Sequence, residues 1–307
     1  MTHDLAPQAP AFWIEPEGPR RPRIALMGEF SAGKSTLANL MIGTSPLPVQ
    51  VVATQLPPVW IRYGNQPPVI VDLQGNETPC DFELLQDIDP QEVAFIRFYC
   101  EQEVLTKCDI IDMPGISDPN MSSAVWERIM PFADGVLWCS PSTQAWRQSE
   151  AAVWDSMEER VRQNSLLVLT RGDMLLTDMD KSKVMRRVKS EAGGLFAEVL
   201  MISLSLARDA GDDEEMWTRS GADEFVARFL ELVDTLATQI DGDTAEVASH
   251  SVDKMASRLE ITLDPAPEPK ADAIVPRRPA LRVSEPQDSR ERSPDMPDPL
   301  SFMPKFS

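Results

Sequence analysis

At 307 residues, with 42% hydrophobic and 25% charged side chains, the chain has the composition of a globular protein with one generous core or two small ones, not of a small disulfide scaffold. Lys and Arg number 29 against 49 Asp and Glu, a net charge of −20 that repels phosphate backbones and anionic lipid at long range, so nucleic acid is a poor ligand and strong direct membrane binding is not expected. Four cysteines at irregular spacings suggest neither a zinc knuckle nor a disulfide framework, and two histidines, His3 and His250, all but exclude His-based triads and metal motifs. Cys108 and Cys139 lie beside apolar runs and read as reduced core thiols. No stretch approaches the roughly 18 uncharged apolar residues of a spanning helix, and the first residues lack a basic-then-apolar leader, so a cytoplasmic protein is expected.

In chain order, residues 1–22 are proline-rich (APQAP, EPEGP, RRP) and predict a disordered arm. Strand-like apolar runs follow at Ile24–Met27, Val59–Tyr63, Val69–Leu73, Ala94–Tyr99, Asp109–Ile111, Gly135–Cys139, Leu166–Leu169 and Leu200–Ser203. Helical stripes interleave with them: Met121, Val125, Trp126 and Ile129; Val153, Trp154 and Met157; then Phe225 to Leu236. The alternation predicts an α/β fold with a mainly parallel sheet and helices on both faces. A break at Asp241-Gly242-Asp243 divides a body, 23–240, from a C-terminal helix, 241–263. Residues 264–307 hold ten prolines, seven basic and eight acidic side chains and predict a disordered tail. Within it, Pro276-Arg277-Arg278-Pro279 and Pro299 to Pro304 read as solvated linker or as docking peptides for an unknown partner.

The chemistry starts where the first strand runs into Gly28-Glu29-Phe30-Ser31-Ala32-Gly33-Lys34-Ser35-Thr36 and on into a helix. This is GxxxxGK[ST] in its strand–loop–helix setting. Its glycines let backbone N–H groups curl around phosphate oxygens, Lys34 neutralises the β- and γ-phosphates, and Ser35 ligates Mg²⁺. Asp112-Met113-Pro114-Gly115 ends a second strand in DxxG, where Asp112 holds the magnesium through water and the Gly115 N–H senses a γ-phosphate. A third strand delivers Thr170-Arg171-Gly172-Asp173. The Asp173 carboxylate matches the paired N1–H and N2–H donors of guanine and finds no such pair on adenine, which selects GTP. Arg171 stands where lysine is usual, and its aliphatic stem can also lie over a base. Ser203, in Ile202-Ser203-Leu204-Ser205, follows the next strand where a base-contacting loop belongs, and reads equally as a strand end.

GEFSAGKSTLANLMIG, DMPG and TRGD together resemble the GTPase domain of the dynamin superfamily, in particular its bacterial members, over about Arg23 to Ile240. The resemblance implies a P-loop GTPase fold, GTP as substrate with Mg²⁺, and a nucleotide-dependent homodimer. It places the first switch in VVATQLPPVWIRYG, with Thr54 as the threonine that completes the magnesium shell and Thr44 and Ser45 as competitors. Two departures bear on hydrolysis. Ile116 follows DMPG and has no group with which to orient water, and Phe30 sits where relatives often carry glutamine. Ser31, backbone amides of the switches and a second protomer are left to do that work. After the body too little chain follows for the family's helical stalk, so membrane scission by this chain alone is not expected. The rival reading is a GTP-responsive interaction module with negligible hydrolysis. A P-loop kinase would need an acceptor site and basic lid that the sequence lacks.

Overall fold

The computed structural model describes residues 20–43, 56–80, 85, 88–118 and 121–258, with side chains described to 242. Thr54, its competitors Thr44 and Ser45, and the tail lie outside the described residues.

Nine strands form one sheet: β1 (Arg23–Gly28), β2 (Val59–Tyr63), β3 (Val69–Asp72), β4 (Glu77–Pro79), β5 (Val93–Cys100), β6 (Asp109–Asp112), β7 (Gly135–Pro141), β8 (Ser165–Thr170) and β9 (Glu198–Met201). The order is β4-β3-β5-β2-β6-β1-β7-β8-β9. β6, β1, β7, β8 and β9 pair in parallel, and β2 joins antiparallel to β6. The central strands are buried on both faces, which is why they read as unbroken apolar runs in the sequence. Alternate residues face opposite cores: Ile24, Leu26, Leu137, Cys139, Leu166 and Val168 point to one, and Ala25, Met27, Val136, Trp138, Leu167 and Leu169 to the other. The first core is closed by the helices Lys34–Ile42, Leu204–Ala210 and Ala222–Arg258. The second holds an aromatic cluster in which Trp154 stacks on Phe196 at 4.0 Å and meets Trp138 edge-on at 5.4 Å.

Four expectations change. The short exposed strand β4 went unread; it pairs only with β3, and Pro79 is tolerable there because an edge strand spares a donor. β9 runs from Glu198 to Met201, not Leu200–Ser203, because Ser203 leaves the sheet to cap the next helix. The stripe Met121 to Ile129 is a short helix, Ala124–Glu127, followed by a 3₁₀ turn at Met130–Phe132 that carries Pro131. The expected break at Asp241-Gly242-Asp243 does not occur. The helix Ala222–Arg258 runs straight through it, since an isolated glycine costs a helix only about 1 kcal/mol. Cys108 and Cys139 are free thiols in the core, as read, and burial pushes both up to about 12.

Candidate nucleotide site

The C-terminal ends of β1, β6 and β8 open onto one cleft of about 770 Å³, lined among others by Phe30 to Thr36, Asp112, Gly115, Asp118, Arg171, Asp173, Met174 and Ser205. Ligands in open α/β sheets bind at this position, outside the carboxyl ends of the strands. The loop from β1 turns on two left-handed residues, Ser31 (φ 59) and Gly33 (φ 92), and the helix Lys34–Ile42 begins at Gly33 with no side-chain cap. Its first N–H groups are therefore left for an anion. Gly28 does not line the cleft: it has φ 137, and a Cβ there would stand 2.1 Å from the Cys139 carbonyl oxygen, so only glycine lets β1 pass β7 at this point.

Lys34 is buried at the floor, its Nζ donating to the carbonyls of Gly28 (3.1 Å) and Glu29 (2.9 Å). Burial pulls its ammonium below the ordinary lysine range, while Asp112, Asp118 and Glu29 pull it back. Burial pushes the Asp112 carboxyl up, opposed by a hydrogen bond from Ser35 and by the Lys34 charge. Asp112 Oδ1 is buried without a hydrogen-bond partner. Such an orphaned carboxylate oxygen beside a serine hydroxyl fits Mg²⁺, which takes one or two protein oxygens and completes its shell with phosphate and water. Among the described residues no cluster of three or more His, Cys, Asp or Glu could hold a metal by itself.

Gly115 touches the P-loop so closely that a Cβ would lie 2.8 Å from Phe30 N and Cα. Ile116 N–H donates to Gly28 O and Phe30 N–H to Ser117 Oγ, both at 3.2 Å, so the start of the second switch is latched to the phosphate loop. Phe30 itself is 65% exposed at the rim. On the far side Thr170 Oγ1 donates to Ala32 O at 2.7 Å and Arg171 Nη2 to Ser31 O at 2.7 Å. Arg171 thus spends its guanidinium on holding the P-loop, a role its position alone does not announce. Asp173 accepts from Ser203 Oγ at 2.6 Å. Ser203 is buried and also caps the helix Leu204–Ala210 through Leu206 N, while Ser205 reaches the cleft. Thr36 lines the cleft one turn into the first helix.

Glu29, like Gly28, stands apart from the P-loop residues around the cleft. It does not line the cleft; its carboxylate accepts from Arg147 Nη1 (2.6 Å) and Ser149 Oγ (2.7 Å), more than a hundred residues on. Arg147 in turn has its backbone N–H on Glu150, a buried carboxylate that also takes bonds from Trp138 Nε1 (3.0 Å) and Ser140 Oγ (2.9 Å). The sequence reading missed this brace, and it missed Asp118, a buried acid in the cleft wall just past DMPG. A carboxylate three residues after the DxxG glycine was the available signal for the second; nothing local signals the first.

Residues 24–171 match the dynamin family. Over that stretch the chain is similar to dynamin-superfamily G domains. The chain is 27% identical over 71% of its length to dynamin-like protein 2 of Campylobacter jejuni, and 30% identical over 37% to the isoniazid-induced protein IniC of Mycobacterium tuberculosis. It spans about a third of the first relative (35%) and a quarter of the second (25%). Among solved structures, an oligomerised bacterial dynamin pair described as sensing and tethering membranes overlays 72% of this chain and 36% of its own, at a TM-score of 0.54 and 19% identity, a likeness of fold. Among the described residues no helix is long and apolar enough to cross a membrane.

Proposed function

We propose that this protein is a cytoplasmic, Mg²⁺-dependent GTP hydrolase whose turnover rises when two G domains meet over their nucleotides. The observation that carries the reading is the convergence, in one cleft, of the uncapped helix at Gly33, the buried Lys34, the orphaned Asp112 oxygen and Asp173. Lys34 neutralises phosphate charge from the floor, and the amides of Ala32 to Thr36 face the phosphates. Ser35 and Asp112, with Thr54 from the first switch, would hold Mg²⁺, which would supply charge neutralisation at the transferred phosphoryl group. Asp173, steadied by Ser203, reads the guanine edge, and Thr170 and Arg171 fix the P-loop beneath it. Gly115 reports the γ-phosphate to the second switch through its contact with Phe30.

Phe30 and Ile116 supply no hydrogen bond to an attacking water. This favours a second reading, a GTP-responsive module that hydrolyses little and presents its switches to a partner. Phosphate release measured against protein concentration separates the two: pairing-dependent catalysis rises faster than linearly, whereas a module that binds without turnover releases no phosphate above background at any concentration.

A further inference from the structure

The helix Asp178–Ala192 packs Val188 and Ala192 into the second core. On a 3.6-residue period its opposite face carries Met179, Lys183, Arg186 and Ser190, flanked by Ser182, Arg187 and Lys189, all exposed. No acidic residue falls in that sector. Asp178 borders it on one side, Asp180 and Glu191 on the other, and among the described residues Lys183, Arg186 and Lys189 make no ion pair. On a chain of net charge −20, a helix face with several cations and no anion is a local reversal of the surrounding field.

An apolar patch adjoins it. Of the seven large hydrophobic side chains exposed among the described residues, three fall between 174 and 179: Met174 (59%), Leu176 (91%) and Met179 (64%). Clustering of this kind marks an interaction surface where single exposed apolar residues do not. Met179 belongs to both features, so the apolar cluster joins the cationic strip along the chain at that residue.

We propose that the strip from Leu176 to Lys189 docks a partner polypeptide segment that is acidic and carries aliphatic anchors, one helix or one extended strand wide. Its anchors would lie against Leu176 and Met179, whose flexible thioether adapts to shape, and its carboxylates against Lys183, Arg186 and Lys189. The width follows from the acidic borders. A planar anionic surface would press Asp178, Asp180 and Glu191 against like charge, whereas a narrow segment meets cations alone. The helix is about 22 Å long, room for about four turns of a partner helix. The proposal does not rest on GTP turnover.

The test uses the full chain and fluorescence anisotropy of a labelled peptide built of Glu and Leu on an amphipathic helical pattern. Saturable binding is expected, weakening with salt. A Glu/Ser peptide, lacking anchors, and a Lys/Leu peptide, reversed in charge, should each bind at least about tenfold less tightly. Lys183→Glu with Arg186→Glu, and separately Leu176→Ser with Met179→Ser, should each weaken the Glu/Leu peptide by about tenfold. Both variants should keep wild-type affinity for a fluorescent GDP, which shows that they fold. No saturable binding by the wild type, or equal binding by variants with intact GDP affinity, would overturn the proposal. So would pelleting with phosphatidylglycerol vesicles that follows the same substitutions while the peptide does not bind, or self-association of the chain abolished by them.

Discussion

Ser203→Ala probes how the Asp173 carboxylate, the proposed reader of guanine, is held. The hydroxyl makes three bonds: it donates to Asp173 at 2.6 Å, accepts from the backbone of Leu206 at 3.3 Å as the N-cap of the helix Leu204–Ala210, and shares a hydrogen bond with the Ser205 hydroxyl at 3.1 Å. Loss of the cap should cost about 1 kcal/mol of stability. A hydrogen bond to a charged group contributes about 1.5–3 kcal/mol, but Asp173 is exposed and water replaces much of what is lost. The share that reaches nucleotide affinity is the freedom Asp173 regains, about 1 kcal/mol, or roughly fivefold in Kd. Titration of a fluorescent GDP by anisotropy gives the affinity, and urea unfolding of the same samples gives the stability. A stability loss of the expected size with GDP affinity unchanged would refute the reasoning, because Asp173 would then owe its position to something other than Ser203.

Asp173→Asn should lose GTP and gain xanthosine triphosphate, whose base offers the matching acceptor; competition binding checks it, and retained GTP affinity would contradict the guanine assignment. Burial holds the Glu150 carboxyl above 4.5, so the folded state binds its proton more tightly than the unfolded state does. That stabilisation is complete below about 4.5 and is lost as pH rises through the folded pKa. The wild type should therefore lose stability relative to Glu150→Gln as pH rises above about 4.5, and a pH-independent difference in urea midpoints would count against it. Thiol labelling under native conditions should reach the half-buried Cys80 and Cys100 well before Cys108 and Cys139, whose reaction should wait for unfolding.

The parallel centre of the sheet was legible because β1, β6, β7 and β8 bury both faces and leave unbroken apolar runs. The phosphate loop was legible because its chemistry depends on local spacing. What escaped depends on residues far apart in sequence. Glu29 reads as one more phosphate-loop residue until Arg147 and Ser149 arrive from beyond β7 to claim its carboxylate. Arg171 reads as a substitute for a base-stacking lysine, and only the fold shows its guanidinium on the Ser31 carbonyl. Ser203, read equally as part of a base-contacting loop and as a strand end, is a helix cap that also donates to Asp173. The helix continued past Gly242 because a propensity penalty near 1 kcal/mol does not by itself stop a helix, whatever it suggests on paper.

Nucleotide selectivity of the wild type beside Lys34→Ala tests the central claim most directly. Lys34 is the buried cation at the cleft floor, and under the proposed function its removal takes away the charge that neutralises phosphate there. Binding of fluorescent GTP to the wild type in the presence of Mg²⁺ should be displaced by GTP and not by ATP, and should be abolished in Lys34→Ala. Equal displacement by the two nucleotides, or undiminished binding to Lys34→Ala, would contradict the account.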